Sequence, residues 1–126
     1  MPRFVILLHE VPEGHARGTH WDLMLESEGV LHTWALNAEP VAGQCCDAEQ
    51  LPDHRPAYLT YEGPVSGGRG TVTQWDRGEY LVELETADQR CVRLEGGKGT
   101  LRVTLDRREP GSQFWRVSFS AAPTRG

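Results

Sequence analysis

The feature that most constrains this chain is its punctuation. Between residues 71 and 120, short β-patterned segments are separated by connections rich in glycine, aspartate and proline. The segments fall at 71–75, 79–85, 90–95, 100–105 and 114–120. Their connections are Asp76-Arg77-Gly78, Thr86-Ala87-Asp88-Gln89, Gly96-Gly97-Lys98-Gly99 and a longer turn at Pro110-Gly111. Each has the residue chemistry of a tight turn. No stretch repeats at the helical period, so this half of the chain reads as a meander of antiparallel strands.

The first half carries the same signature with longer interruptions. Arg3 to Leu8 is a continuous apolar run, the pattern of a buried strand. Residues 9–19 contain Pro12, Gly14 and Gly18 and read as a loop. His20 to Glu26 alternates polar and apolar residues and turns at Glu28-Gly29 into a second strand, Val30 to Leu36, making a hairpin. Residues 37–56 lose periodicity and contain four residues of turn type, Pro40, Gly43, Pro52 and Pro56, so a long irregular segment is expected there. Ala57 to Glu62 alternates again as a short strand, and residues 63–70 form a second prominent loop. About nine short strands imply an all-β barrel or sandwich, with one domain over 1–121 and a frayed tail at 122–126.

Charge and cysteine usage narrow the function classes. The net charge of −5 argues weakly against a protein that coats nucleic acid with a generally basic surface. The charge is uneven: residues 1–63 hold three Lys/Arg against ten Asp/Glu, and residues 64–126 hold ten against eight. No apolar run approaches the length of a membrane span, and Met1-Pro2-Arg3 leads too quickly into a strand for a signal peptide. A cytoplasmic protein is expected. Cys45, Cys46 and Cys91 are odd in number and lack zinc spacing, which fits reduced thiols.

Alternation on the 20–26 strand puts His20 and Asp22 on one face and Trp21, Leu23 and Leu25 on the other. An imidazole beside a carboxylate on a rigid strand can ligate a metal or pass a proton, or simply share a hydrogen bond. His9 ends the preceding strand, so His9, His20 and Asp22 converge if the two strands are neighbours. A His/His/carboxylate set suits Mn²⁺ or Zn²⁺ without choosing between them. Gly67-Gly68-Arg69-Gly70 has the glycines and the cation of a phosphate cradle, or of a plain hairpin connection. His54 and Arg55 beside Tyr58 form another polar cluster, able to hold a phosphoryl group or to cap a turn.

In this order the pieces resemble the 3′-phosphoesterase domain found at the N-terminus of many bacterial DNA ligase D proteins and also encoded as short stand-alone proteins. The resemblance rests on Arg3-Phe4-Val5-Ile6 leading to His9, on His20-Trp21-Asp22-Leu23-Met24-Leu25-Glu26, and on Thr33-Trp34-Ala35. It continues through Asp53-His54 with Tyr58, Tyr61-Glu62-Gly63, Gly70-Thr71-Val72 and Trp75-Asp76-Arg77-Gly78. It implies a single compact antiparallel β-barrel with long irregular loops that binds Mn²⁺, or Zn²⁺ or another divalent ion. Such a domain removes a 3′-phosphate or 3′-ribonucleoside from DNA or RNA ends, leaving a 3′-OH for polymerase and ligase. By position, His9, His20 and Asp22 would hold the metal, with His15 as the alternative to His9, and His54 and Tyr58 would act on the phosphate.

Three departures follow from the same comparison. Ten residues, Glu10 to Thr19, separate the two metal histidines, a much longer spacer than the family's. Met24 stands where the family carries an arginine, leaving Arg69, Arg55 or Arg17 to meet a phosphate. The lysine and second arginine expected within 37–52 are missing. These losses make a non-catalytic end-binding or repair-partner module the alternative to an enzyme. Either would meet nucleic-acid 3′ ends, and through them DNA ligase or end-joining proteins, as a monomer.

Overall fold

The computed structural model describes residues 1–15 and 17–123. Nine strands form one antiparallel sheet: β1 (Arg3–Glu10), β2 (His20–Ser27), β3 (Val30–Leu36), β4 (Cys45–His54), β5 (Gly63–Pro64), β6 (Thr71–Glu85), β7 (Gln89–Gly96), β8 (Gly99–Arg107) and β9 (Phe114–Ala121). Their order is β1-β2-β3-β4-β9-β8-β7-β6-β5, and β1 also pairs with β6. That last pairing closes eight strands into a barrel and leaves the two-residue β5 appended to its wall. Closure removes exposed sheet edges.

Alternation sorts the side chains into two clusters. The lumen is filled from every strand of the barrel, with Phe4, Ile6, Leu23, Trp34, Val92, Leu105, Trp115 and Val117 among its members. Trp34 and Trp115 meet edge to face with ring centroids 5.7 Å apart. A second cluster lies outside the wall: Val5, Leu7, Met24, Leu31, Leu59 and Val72. Consecutive residues of β1 thus enter opposite clusters, which is why Phe4-Val5-Ile6-Leu7 reads as an unbroken apolar run rather than an alternating one.

The outer cluster is covered by a short 3₁₀-helix, η1 (Pro56–Leu59). This corrects the strand expected at Ala57 to Glu62. Pro56 presets φ at the start of the turn, and a helical turn aims Leu59 and Tyr58 together at the wall, which an extended segment could not do. Gln74 holds the cover in place: its side-chain amide donates to the Leu59 carbonyl at 2.8 Å, and its backbone N–H donates to Glu62 Oε2 at 2.8 Å.

Two further expectations are corrected. Half of the segment expected to be irregular at 37–56 is β4, paired with β3 on one side and β9 on the other. Its inward residues Cys46 and Ala48 are small, and Asp47 and Glu49 have low strand propensity, so neither periodicity nor propensity reveals it. Long-range pairing makes it a strand, and its small inner face leaves room for the Trp34–Trp115 pair. Asp76-Arg77-Gly78 is likewise no turn, because β6 continues through it. A bulge at Trp75 interrupts the register with β1 between Ile6 and Leu7. Asp76 Oδ1 then accepts from the Arg77 and Gly97 N–H groups, each at 2.8 Å. The Trp-Asp-Arg-Gly motif is a strand corner pinned to the next hairpin. Of the tail expected at 122–126, residues 124–126 lie outside the described residues.

Candidate metal centre on the barrel wall

The antiparallel register of β1 and β2 sets His9 opposite His20 and Leu7 opposite Asp22. Residues two apart on a strand share a face, so His9, His20 and Asp22 meet on the outer wall, beyond Leu7 and Met24 of the outer cluster. Their ligand atoms all lie within 4.8 Å of one another, the one such group among the described residues. His20 and Asp22 are buried, at 5% and 4% exposure, and His9 is half-buried.

The hydrogen bonds decide which atoms face inward. His20 Nδ1 lies 2.8 Å from the Gly18 carbonyl, and His9 Nε2 lies 2.7 Å from the Arg69 carbonyl. A carbonyl only accepts, so each ring places its hydrogen on that outward nitrogen. The inward nitrogens, His20 Nε2 and His9 Nδ1, then point lone pairs at the Asp22 carboxylate, with Oδ1 and Oδ2 each 3.2 Å away. Asp22 Oδ1 is buried with no hydrogen-bond partner. Lone pairs meeting a carboxylate in a desolvated place call for a cation between them.

Without a metal, that cation is a proton. The hydrogen bond to Asp22 raises the His9 pKa above its ordinary value, outweighing burial. Burial pushes the Asp22 carboxyl up, but its contacts with His20 and His9 prevail and hold it below the usual carboxylate range. A divalent ion answers the same demand more completely. Two neutral imidazoles with their outer N–H groups pinned to carbonyls, plus one carboxylate, are the donor set of an open three-ligand site. The residues present fit such an ion.

Above the cluster lies a cavity of about 180 Å³ walled by Leu7, Met24, Leu51, Tyr58, Val65 and Val72, with His15, Arg17, His54 and Arg69 at its polar edge. His15 is exposed and outside the three-residue cluster, and its Nδ1 accepts from the Arg17 N–H at 3.3 Å. His54 Nδ1 lies 2.8 Å from the Pro52 carbonyl, which leaves Nε2 without a partner among the described residues, and its ring stands edge-on to Tyr58 at 5.4 Å. Arg69 is tied back to Ser66, 2.7 Å to the carbonyl and 3.1 Å to Oγ. Arg55 is exposed on the two neighbouring clefts that Tyr58 also lines. Arg17 is committed elsewhere, its guanidinium 2.6 Å from Glu49 Oε1. The fifth histidine, His32, is used inside the fold, where Arg90 donates to its Nδ1 at 2.9 Å while lying 5.1 Å from the Trp34 ring.

Met24 is 1% exposed and forms part of the cavity floor, so the position where an arginine was expected is neutral here. Part of the remaining positive charge lies nearby. Among the described residues, eight arginines have a carboxylate within 4.0 Å: Arg3, Arg17, Arg90, Arg93, Arg102, Arg107, Arg108 and Arg116. Arg55, Arg69, Arg77 and Lys98 have none, and the first two of these flank the cluster.

Several participants were not visible in the sequence. Glu49, which neutralises Arg17, sits on the strand that was read as irregular; recognising that strand would have placed it. The Gly18 and Arg69 carbonyls are backbone atoms, and their only signal is the glycines around them. Gly70 shows how that signal works. It has φ +92°, and a Cβ there would stand 1.9 Å from the Glu10 carbonyl oxygen. Only glycine lets the 66–70 loop close onto β1, and that closure carries the Arg69 carbonyl to His9. The glycine-rich loop thus serves the cluster through a backbone carbonyl.

The fold and site define a class: closed antiparallel β-barrels with a His/His/Asp centre on the outer wall. The chain belongs to the DNA ligase D 3′-phosphoesterase domain family, whose model matches residues 12–114. That match includes His20, Asp22, His54 and Tyr58 but begins after His9. Among curated relatives, the multifunctional non-homologous end joining DNA repair protein LigD of Mycobacterium tuberculosis is 34% identical over 106 residues, 77% of this chain and 14% of that protein. LigD of Mycolicibacterium smegmatis is 31% identical over 100 residues, 75% of this chain and 13% of its own length. LigD of Pseudomonas aeruginosa is 33% identical over 84 residues, covering 60% and 10%. The chain therefore spans about a seventh of the first of these and less of the others. Among the described residues, no helix is long and apolar enough to cross a membrane.

Proposed function

We propose that the protein is a divalent-metal-dependent phosphoesterase acting in DNA end repair, removing 3′-phosphate or 3′-ribonucleoside groups from DNA or RNA ends to leave a 3′-OH. The observation that carries the reading is the convergence of His9 Nδ1, His20 Nε2 and Asp22 on one cation-sized space beside His54 and Tyr58. Family membership supplies the substrate class, and the unpaired Arg55 and Arg69 suit an anionic end. Mn²⁺ is the metal proposed, with Zn²⁺ or another divalent ion in reserve.

Hydrolysis of a 3′-phosphate forms a bond from a water oxygen to phosphorus, breaks the bond from phosphorus to O3′, and leaves a proton on O3′. His9, His20 and Asp22 would hold the ion, which when bound polarises a phosphoryl oxygen. His54 Nε2, without another partner among the described residues, takes the proton from the attacking water or delivers one to O3′. The Tyr58 hydroxyl donates to a non-bridging oxygen. Arg69 and Arg55 draw the anion in, and Leu51 and Val65 keep one side of the cavity apolar.

Incubation with Mn²⁺ and a 3′-phosphate primer–template should give a 3′-OH end, and EDTA should stop it. His20→Ala and Asp22→Ala should each abolish turnover, and activity surviving both would remove these residues from the reaction. The neutral Met24 floor favours a second reading, an end-binding module without turnover that recruits ligase or other end-joining partners. Tight binding of 3′-phosphate ends with no product under Mn²⁺, Zn²⁺ or Mg²⁺ would select it.

A further inference from the structure

We infer that the cleft formed by Arg55, Tyr58, Tyr61, Pro64, Val65 and Ser66 is a stacking subsite for the terminal nucleobase of the strand whose 3′ end occupies the metal centre; the inference rests on the phosphoesterase reading above. The cleft has a volume of about 240 Å³, larger than the cavity over the cluster. Tyr58 and Val65 line both, so the two spaces are neighbours that share a wall.

The rings between them form a series. His54 and Tyr58 meet edge to face at 5.4 Å, and Tyr58 and Tyr61 meet at 5.7 Å with planes 79° apart. A strand end with its phosphate at the cluster must run its sugar and base outward, and this series leads that way. Tyr61 is fixed for the purpose. Its hydroxyl donates to the Pro64 carbonyl, and it stands against Gly63, where φ is +138° and a Cβ would lie 3.1 Å from that hydroxyl. Yet Tyr61 keeps 37% of its surface exposed. A held aromatic loses little entropy when a base stacks on it.

The lining also says what is not read. Besides the Arg55 guanidinium and the Tyr and Ser hydroxyls, the cleft presents rings, a proline, an alanine and a valine, so it recognises chiefly the face of a base rather than the pattern on its edge. Stacking of this kind tolerates any sequence. Arg55, exposed on the cleft and without a carboxylate partner among the described residues, is placed to meet the backbone phosphate that follows. Presence of a base, not its identity, is the specificity this cleft would supply.

Two readouts test the subsite in the full chain. An oligonucleotide with 2-aminopurine as its 3′-terminal base and a 3′-phosphate should lose fluorescence when the protein is added. The loss should persist with Tyr61→Phe and vanish with Tyr61→Leu. In turnover, KM should be about ten-fold lower for a terminal base than for an abasic terminus with the same 3′-phosphate, and Tyr61→Leu should abolish that ratio. Unchanged fluorescence on wild-type binding, or a ratio retained by Tyr61→Leu, overturns the subsite even if hydrolysis proceeds. Absence of hydrolysis on both ends overturns the phosphoesterase reading instead, and the fluorescence change still decides the stacking.

Discussion

The carbonyl oxygen of Arg69 lies 2.7 Å from His9 Nε2, so a residue sixty positions along the chain sets which nitrogen of His9 faces Asp22. The candidate metal centre is therefore assembled from two adjacent strands and locked by a loop between two others. Its ligands belong to the wall, and their protonation pattern belongs to the cover.

Gly70→Ala tests that lock. The new Cβ would meet the Glu10 carbonyl at 1.9 Å, which no side-chain rotation relieves, so the loop must lift and His9 loses its acceptor. Loss of such an outer partner lowers metal affinity about 10- to 100-fold. Titration calorimetry with Mn²⁺ should show that drop while circular dichroism still reports the barrel. Unchanged affinity would mean that the Arg69 carbonyl does not orient His9.

Met24→Arg tests the neutral floor. A guanidinium there should strengthen binding of the phosphate and lower KM for 3′-phosphate ends severalfold, with a steeper dependence on salt. The cost is burial of a charge among Leu7, Leu31 and Val72, on the order of several kcal/mol of stability measured by urea denaturation. A KM that does not fall would show that the substrate phosphate stops short of the floor.

Acidity bears on the centre in a definite direction. The folded-state pKa of His9 is raised above its ordinary 6.5, so its contribution to stability is complete below that pH and is lost as pH rises through the folded value. The folded-state pKa of Asp22 is lowered from 3.8, so its contribution is complete above that pH and is lost as pH falls through the folded value. In EDTA, the melting-temperature advantage of wild type over Asp22→Asn should therefore be greatest between roughly pH 4 and 6.5. Metal binding needs His9 unprotonated, so Mn²⁺ affinity should rise with pH through its raised pKa. A wild-type-minus-variant difference that declines neither on acidification below that window nor on raising the pH above it would contradict the assignment.

Ala48→Leu tests the strand that was not apparent. Ala48 is 6% exposed, opposite Trp115 in the register with β9 and facing the lumen. Added methylenes would crowd the Trp34–Trp115 pair and destabilise the barrel by about 1–3 kcal/mol. Chemical denaturation followed by tryptophan fluorescence would measure it. A neutral effect would place residue 48 outside the core.

What the residues determined alone was whatever depends on near neighbours. Alternation at 20–26 put His20 and Asp22 on one face, glycine turns delimited β7 and β8, and apolar periodicity announced an all-β fold. Those signals survive because each rests on the two-residue period of a strand. Tertiary structure decided what depends on distant partners. Cys45 to His54 became a strand only between β3 and β9, and Pro56 to Leu59 became a helical turn because Leu59 had an apolar wall to cover. The insertion at Glu10 to Thr19 left His9 and His15 both open; the register of β1 with β2 brought His9 to Asp22 and left His15 on the rim. Carbonyls carry no residue-specific mark, so Gly18 and Arg69 were invisible as the groups that aim the two imidazoles. Ligand identity is written in side chains, whereas ligand orientation comes from backbone packed against them.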